Sequence, residues 1–230
     1  MDFNKKQAAL LYLDKNGFYF YTDGLPSVIS LAFIDNAVRD MDVVNGASLI
    51  AQVKAFIDQY RLMPSMITII LSPNVAFEKD IAGLTREAQA EEIKNFIDTI
   101  PFESVLTRTY PIEKGVKVIG FNEDLYTELK NGFEKNSFGI DMVIPYQLLG
   151  TDQTLIKNLT TDNAAQFLKR CDHLKQYTLL ITEKQKNPGP SPVTETVVQK
   201  PKKNYTRLFV MIGVFTFLFA VLGYMLITMK

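Results

Sequence analysis

The chain has 230 residues, 47% hydrophobic and 22% charged, with 25 basic residues balancing 25 acidic ones. That composition suits one folded domain with a smaller appendage and excludes wholesale disorder. The signs are segregated: residues 1–183 hold 18 Lys and Arg against 24 Asp and Glu, a net of −6, and residues 184–230 hold 7 against 1, a net of +6. A nucleic-acid-binding domain would carry its basic residues on the folded face, so the pattern argues against that class.

Residues 8–13 and 18–22 flank Asn16-Gly17, a dipeptide suited to the positive backbone angles of a tight turn, and predict an opening β-hairpin. Residues 28–33 add a third strand. Leu49, Ile50, Val53, Phe56, Ile57 and Tyr60 recur at helical spacing, with Ser48 as the expected N-cap. The Ile-rich run 66–71, closed by Ser72-Pro73-Asn74, reads as a buried central strand. From Val75 the order becomes strand, helix, strand, strand, helix, strand. A strand at 75–78 leads to a helix capped near Thr85, with Ile93, Phe96, Ile97 and Ile100 on one face and Pro101 as its stop. Strands at 104–110 and 116–121 meet across Lys114-Gly115, Asn122 caps a helix carrying Leu125, Leu129 and Phe133, and residues 140–144 form a strand after Gly139. A helix over 164–174 and a strand over 178–181 complete a mixed-sheet α/β domain.

Residues 184–207, with Pro188-Gly189-Pro190-Ser191-Pro192 and Pro201, lack a periodic apolar face and read as a Pro/Lys-rich linker. Residues 208–229 are an uncharged run of 22, long enough as a helix to span the roughly 30 Å hydrocarbon core. Lys200, Lys202, Lys203 and Arg207 precede this run and only Lys230 follows it, so the positive-inside rule places the N-terminus in the cytoplasm. The first residues offer no signal-peptide core. Within the run, Gly213, Thr216, Ala220 and Gly223 share one helical face, a small-residue stripe suited to pairing with a second copy or a partner helix.

Chemistry-bearing motifs are sparse. Cys171 is the single cysteine and His173 the single histidine, which leaves no internal disulfide and no Cys/His zinc site. Cys171 falls on the stripe Ala164, Phe167, Leu168, Leu174 and is expected in the core. Gly115 and Gly120 have the glycine spacing of a phosphate loop, but Phe121-Asn122 follow where the lysine and hydroxyl are needed. There is no nucleophile elbow. The carboxylate pairs Glu91-Glu92 and Glu123-Asp124 lie on helix sides expected to face water. No catalytic, cofactor-binding or metal-binding residue is assigned.

Two stretches carry a resemblance. One is Asn74-Val75-Ala76-Phe77-Glu78-Lys79-Asp80-Ile81 with the later helix Glu91 to Ile100 ending in Ile100-Pro101-Phe102-Glu103. The other is Val116-Lys117-Val118-Ile119-Gly120-Phe121 with Ile140-Asp141-Met142-Val143-Ile144-Pro145. Together with the segment order, these resemble the first half of the actin-like assembly proteins of type IV pilus and type II secretion systems, the PilM and GspL families. The resemblance implies a partial actin-like, RNase H-like fold over residues 1–183 with an inserted small α/β subdomain at about 75–145. Nucleotide-binding members of that superfamily place an acidic-Gly-hydroxyl turn after the first strand. Asp14-Lys15-Asn16-Gly17-Phe18 has neither that glycine spacing nor a Ser or Thr, so the phosphate cradle reads as lost.

In function, the same resemblance implies a non-enzymatic, cofactor-free scaffold on the bacterial inner membrane. It would link a cytoplasmic motor ATPase to membrane platform proteins; beside it, the apolar run implies lipid contact, the charge segregation implies no nucleic acid, and the small-residue stripe suits a homodimer. Two alternatives stand beside it: a membrane-tethered division or cytoskeletal scaffold, and a degenerate actin- or kinase-like ATP-binding enzyme in which Asp14 orients a metal. An export reporter fused after Lys230 is expected to be active outside the cytoplasm, and cytoplasmic activity of that fusion would overturn the topology.

Overall fold

The computed structural model describes residues 7–157 and 159–180. The opening hairpin forms from β1 (Gln7–Asp14) and β2 (Gly17–Thr22), with Asp14 opposite Gly17, and β3 (Ile29–Ala32) extends it. The turn residues are Lys15 and Asn16, and neither takes a positive φ. Glycine is required one position later. Gly17 sits at φ 154°, where a Cβ would stand 2.0 Å from the Leu31 carbonyl oxygen.

A two-stranded ribbon follows, β4 (Val38–Arg39) and β5 (Asp42–Val43), which the sequence pattern does not reveal. Its turn, Asp40-Met41, has φ of 50° and 70°, the left-handed pair of a tight hairpin without the usual Asn-Gly. Tertiary contacts hold it: Asn122 Nδ2 donates to the Met41 carbonyl at 2.8 Å, and Lys15 pairs with Asp40 at 3.2 Å. Helix α1 (Gly46–Tyr60) is capped by Asn45 rather than Ser48, whose N–H instead donates to Asn45 Oδ1 at 3.0 Å. Asn45 precedes the first helical residue with extended backbone, the geometry a capping side chain needs, and Ser48 is already inside the helix.

Strand β6 (Ser65–Leu71) runs parallel to β1, and β10 (Gly139–Pro145) runs parallel to β6. The main sheet has the order β10-β6-β1-β2-β3, with β2 the one reversed strand. Between β6 and β10 the chain makes an excursion: β7 (Phe77–Ala82), α2 (Arg86–Thr99), β8 (Val105–Ile112), β9 (Gly115–Asn122) and α3 (Glu123–Glu134). Strands β7, β9 and β8 form a separate antiparallel sheet. Because β10 joins the main sheet and α3 packs with α1, the topology draws the insertion as residues 77–122. Thr85 and Asn122 cap α2 and α3 as expected. The strand expected at 75–78 begins instead at Phe77, because Val75 N–H turns back onto the Ser72 carbonyl at 3.1 Å.

Both faces of the main sheet are covered. On one, Leu11, Leu13, Phe18, Ile67 and Ile69 meet Leu49, Val53 and Phe56 of α1 and Leu125, Leu129 and Phe133 of α3. Phe133 stacks on Phe20 at 6.2 Å, and Phe18 meets Phe56 edge-on at 5.1 Å. On the other face, Leu10, Tyr21, Ile70 and Ile144 meet Ala164 and Phe167 of α5 (Thr161–Arg170), which follows the short α4 (Gln153–Lys157). The helix expected over 164–174 thus starts earlier and ends at Arg170, continuing as 3₁₀ turns over Cys171–Tyr177. The strand expected at 178–181 does not form over its described residues, and Ile181 lies outside them.

The second hairpin repeats the first: Gly115, at φ 159°, would put a Cβ 2.0 Å from the Ile81 carbonyl. Gly17→Ala and Gly115→Ala are each expected to cost about 2 kcal/mol or more, since the neighbouring strand backbone cannot move without losing its ladder. Urea midpoints that fall at unchanged slope would show it, and unchanged midpoints would refute it.

Candidate functional site

Ligands of open α/β sheets gather at the carboxyl ends of parallel strands. At that end β1 and β6 place Asp14, Ser72 and Asn74 together. Ser72 N–H donates to the Leu13 carbonyl at 2.9 Å, which locks the two strand ends in register. Ser72 Oγ then donates to Asp14 Oδ1 at 2.6 Å, and Asn74 Nδ2 donates to the same oxygen at 2.9 Å. Burial pushes the Asp14 carboxyl up, but the hydrogen bonds from Ser72, Asn74 and the Lys15 N–H outweigh it and hold the group below its ordinary range. Asp14 is therefore a fixed anion. Beside it lies a cavity of about 220 Å³ lined by Asn16, Gly17, Tyr19, Ser30 and Ala32.

A larger groove, about 360 Å³, lies where β8, α3, β10 and the chain after Tyr177 converge. Its walls are Leu106, Tyr126, Ile140, Leu179 and Leu180, with Lys130 and Glu134 also lining it. Burial and then the Glu134 charge push the Tyr126 phenol up to about 12, so it stays a neutral donor. One end of the groove is held by the residues around Thr178. Val143 N–H donates to Thr178 Oγ1 at 2.9 Å, and Leu179 N–H donates to the Val143 carbonyl at 2.7 Å. From the inserted sheet, Arg108 donates to the Thr178 carbonyl and Tyr110 Oη donates to the Tyr177 carbonyl at 2.9 Å. This Thr178 clasp ties β10 of the main sheet to β8 of the insertion.

The remaining sequence candidates take structural places. Cys171 is buried in the second core, and burial pushes its thiol up. His173 is exposed, with Nε2 3.7 Å from the buried Asp152, whose charge Arg170 meets directly. Glu92 pairs with Lys79, and Glu123-Asp124 occupy the first turn of α3. A Cβ at Gly120 would lie 2.5 Å from Ile100 Cδ1, so that glycine serves packing of α2 on β9. Among the described residues no helix is long and apolar enough to cross a membrane and no group of three or more acidic, His or Cys side chains could hold a metal. The expected membrane run, with Gly213, Thr216, Ala220 and Gly223, and the flanking Lys200, Lys202, Lys203 and Arg207 lie outside the described residues. Sequence reasoning missed the Ser72 and Asn74 bonds to Asp14, the Thr178 clasp and the Asp152–Arg170 pair. Each joins residues 18 to 70 positions apart, and no local pattern marks them.

No protein-family model matches the chain, and no curated protein does. Several solved structures are similar. The cytoplasmic domain of EpsL, an inner membrane component of the type II secretion system of Vibrio cholerae, shares 14% identity over 61% of this chain and 57% of that one, with a TM-score of 0.36. A PilM–PilN type IV pilus biogenesis complex shares 13% over 65% and 51%, at 0.42. A Bacteroides thetaiotaomicron protein with an actin-like ATPase fold and unknown function shares 16% over 68% and 59%, at 0.34. The chain thus matches just over half the length of each of these structures.

Thr178→Val removes the acceptor for Val143 and Leu180 N–H while keeping the shape of the side chain. A loss of about 1–3 kcal/mol is expected, with faster exchange of the Val143 amide. Unchanged protection of that amide would show that the clasp contributes nothing.

Proposed function

We propose that this chain is a non-enzymatic scaffold of a type IV pilus or type II secretion-like assembly platform, linking a cytoplasmic motor ATPase to membrane components. The observation that carries the reading is the first β-turn. Its carboxylate, the group a nucleotide-using relative would turn toward a metal, is held by Ser72 and Asn74, and a two-residue turn replaces the phosphate-cradling loop. The 360 Å³ groove supports a binding role: its apolar walls and mixed-charge lining suit a short apolar segment of a partner protein. The basic residues Lys200, Lys202, Lys203 and Arg207 beside an apolar run fit attachment to an anionic bilayer surface.

Calorimetry of the full chain in nanodiscs with Mg-ATP is expected to give no saturable heat. A micromolar dissociation constant abolished by Asp14→Ala would replace the scaffold with the ATP-binding alternative. Affinity capture of the same particles is expected to recover a pilus- or secretion-type motor ATPase or platform protein, and Leu106→Glu in the groove is expected to reduce that recovery.

A further inference from the structure

The cavity over Gly17 has an electrostatic character opposite to that of a phosphate site. Among the described residues, Asp14 is its one charged wall and no cation lines it. The nearest basic residue in sequence, Lys15, is engaged by Asp40 at 3.2 Å. The Asp14 carboxylate is held by neutral donors, Ser72 Oγ at 2.6 Å and Asn74 Nδ2 at 2.9 Å.

The other walls narrow the class of ligand. Tyr19 is 47% exposed, an aromatic ring facing outward beside the carboxylate, and it pairs across the strands with Tyr12 at a ring separation of 6.4 Å. Ser30 stands opposite Tyr19 on β3, so the row across the three strands reads Tyr12, Tyr19, Ser30 and the next row reads Asp14, Gly17, Ala32. Gly17 and Ala32 carry no long side chain in the second row, and Asp14 lines the cavity with them. At about 220 Å³ the cavity is smaller than the roughly 300–1,000 Å³ of small-molecule sites and matches a single inserted side chain. Among the described residues no group of three or more acidic, His or Cys side chains could hold a metal here. A planar guanidinium uses this set well: its fork meets a fixed carboxylate, and its face lies against an aromatic ring.

We propose that the cavity formed by Asp14, Gly17, Tyr19 and Ser30 receives an arginine side chain presented by a partner protein. This rests on the reading that no nucleotide uses this end of the sheet, and it makes the first hairpin a second docking point, separate from the groove beside α3. The carboxylate anchors the guanidinium, Tyr19 flanks it, and the uncharged walls exclude anionic side chains.

The test uses the full chain in nanodiscs, with N-acetyl-arginine amide as probe and N-acetyl-glutamine amide and magnesium chloride as comparators, followed by ligand-observed NMR. Saturable binding of the arginine probe is expected, of the order of a millimolar for one isolated side chain, with none for the glutamine probe. Asp14→Asn keeps the acceptor for Ser72 and Asn74 and is expected to weaken binding at least tenfold. Ser30→Lys, which places a tethered cation at the exposed rim, is expected to block it, and Tyr19→Ala to weaken it several-fold. Thermal melts confirm that each variant is folded. Absence of saturable binding, equal binding to Asp14→Asn, or displacement of the probe by millimolar magnesium would each overturn the proposal. Mg-ATP binding measured separately reports on the scaffold reading, so failure of one does not read as failure of the other.

Discussion

Strand β1 is buried on both faces, and the placement of the rest depends on that burial. Leu10, Leu11 and Leu13 are at most 1% exposed, yet they point alternately to opposite sides of the sheet. A strand apolar on both faces needs a layer above and a layer below, and neither can be supplied by the hairpin alone. The α1–α3 pair covers one side and α5 covers the other. Parallel pairing with β6 brings the Ile-rich run to the centre and fixes the strand ends that hold Asp14, Ser72 and Asn74. The candidate site is thus a consequence of core packing at the point where two parallel strands stop.

The edges of the main sheet are managed differently. Outside β10, Thr178 and Leu179 take the Val143 amide and carbonyl without forming a strand, and Arg108 and Tyr110 bind the same stretch from the inserted sheet. That edge is closed by a junction of two subdomains. At the other edge, β3 is only four residues long, and Gln52 Nε2 donates to the Ala32 carbonyl at 2.6 Å. The short strand leaves the cavity over Gly17 open to approach, whereas the closed edge carries the groove. Two concave features therefore sit at opposite sides of one sheet.

Charge distinguishes these features. The folded region is acidic, and its acidic groups press on one another around the β4–β5 turn. Burial, followed by the charges of Asp124, Glu103 and Asp40, pushes the Asp42 carboxyl up. At Asp14 the hydrogen bonds win over burial and the carboxyl stays ionised. Burial raises both carboxyls; at Asp42 neighbouring carboxylates add to it, and at Asp14 neutral donors outweigh it.

Much of the architecture was legible because it is written in local pattern. Alternation and apolar runs marked β1, β2, β6, β8, β9 and β10, helical spacing marked α1, α2 and α3, and Thr85 and Asn122 marked two helix starts. The order of those segments carried the resemblance to an actin-like half. Charge segregation and the uncharged run at 208–229 are likewise properties of the chain as written. What tertiary structure alone decided is every feature that depends on two distant segments meeting. Asp40-Met41 takes left-handed angles because Asn122 and Lys15 reach it. Gly17 is needed because β3 crowds it, and the residues after Tyr177 abandon strand pairing because Thr178 supplies its own hydroxyl to Val143. Asp14 reads in sequence as a turn carboxylate, and only the arrival of Ser72 and Asn74, 58 and 60 residues later, makes it a fixed charge beside an open cavity. Local pattern encodes which residues face a core, but the partners of a polar group are set by chain closure over long separations, which no window of sequence contains.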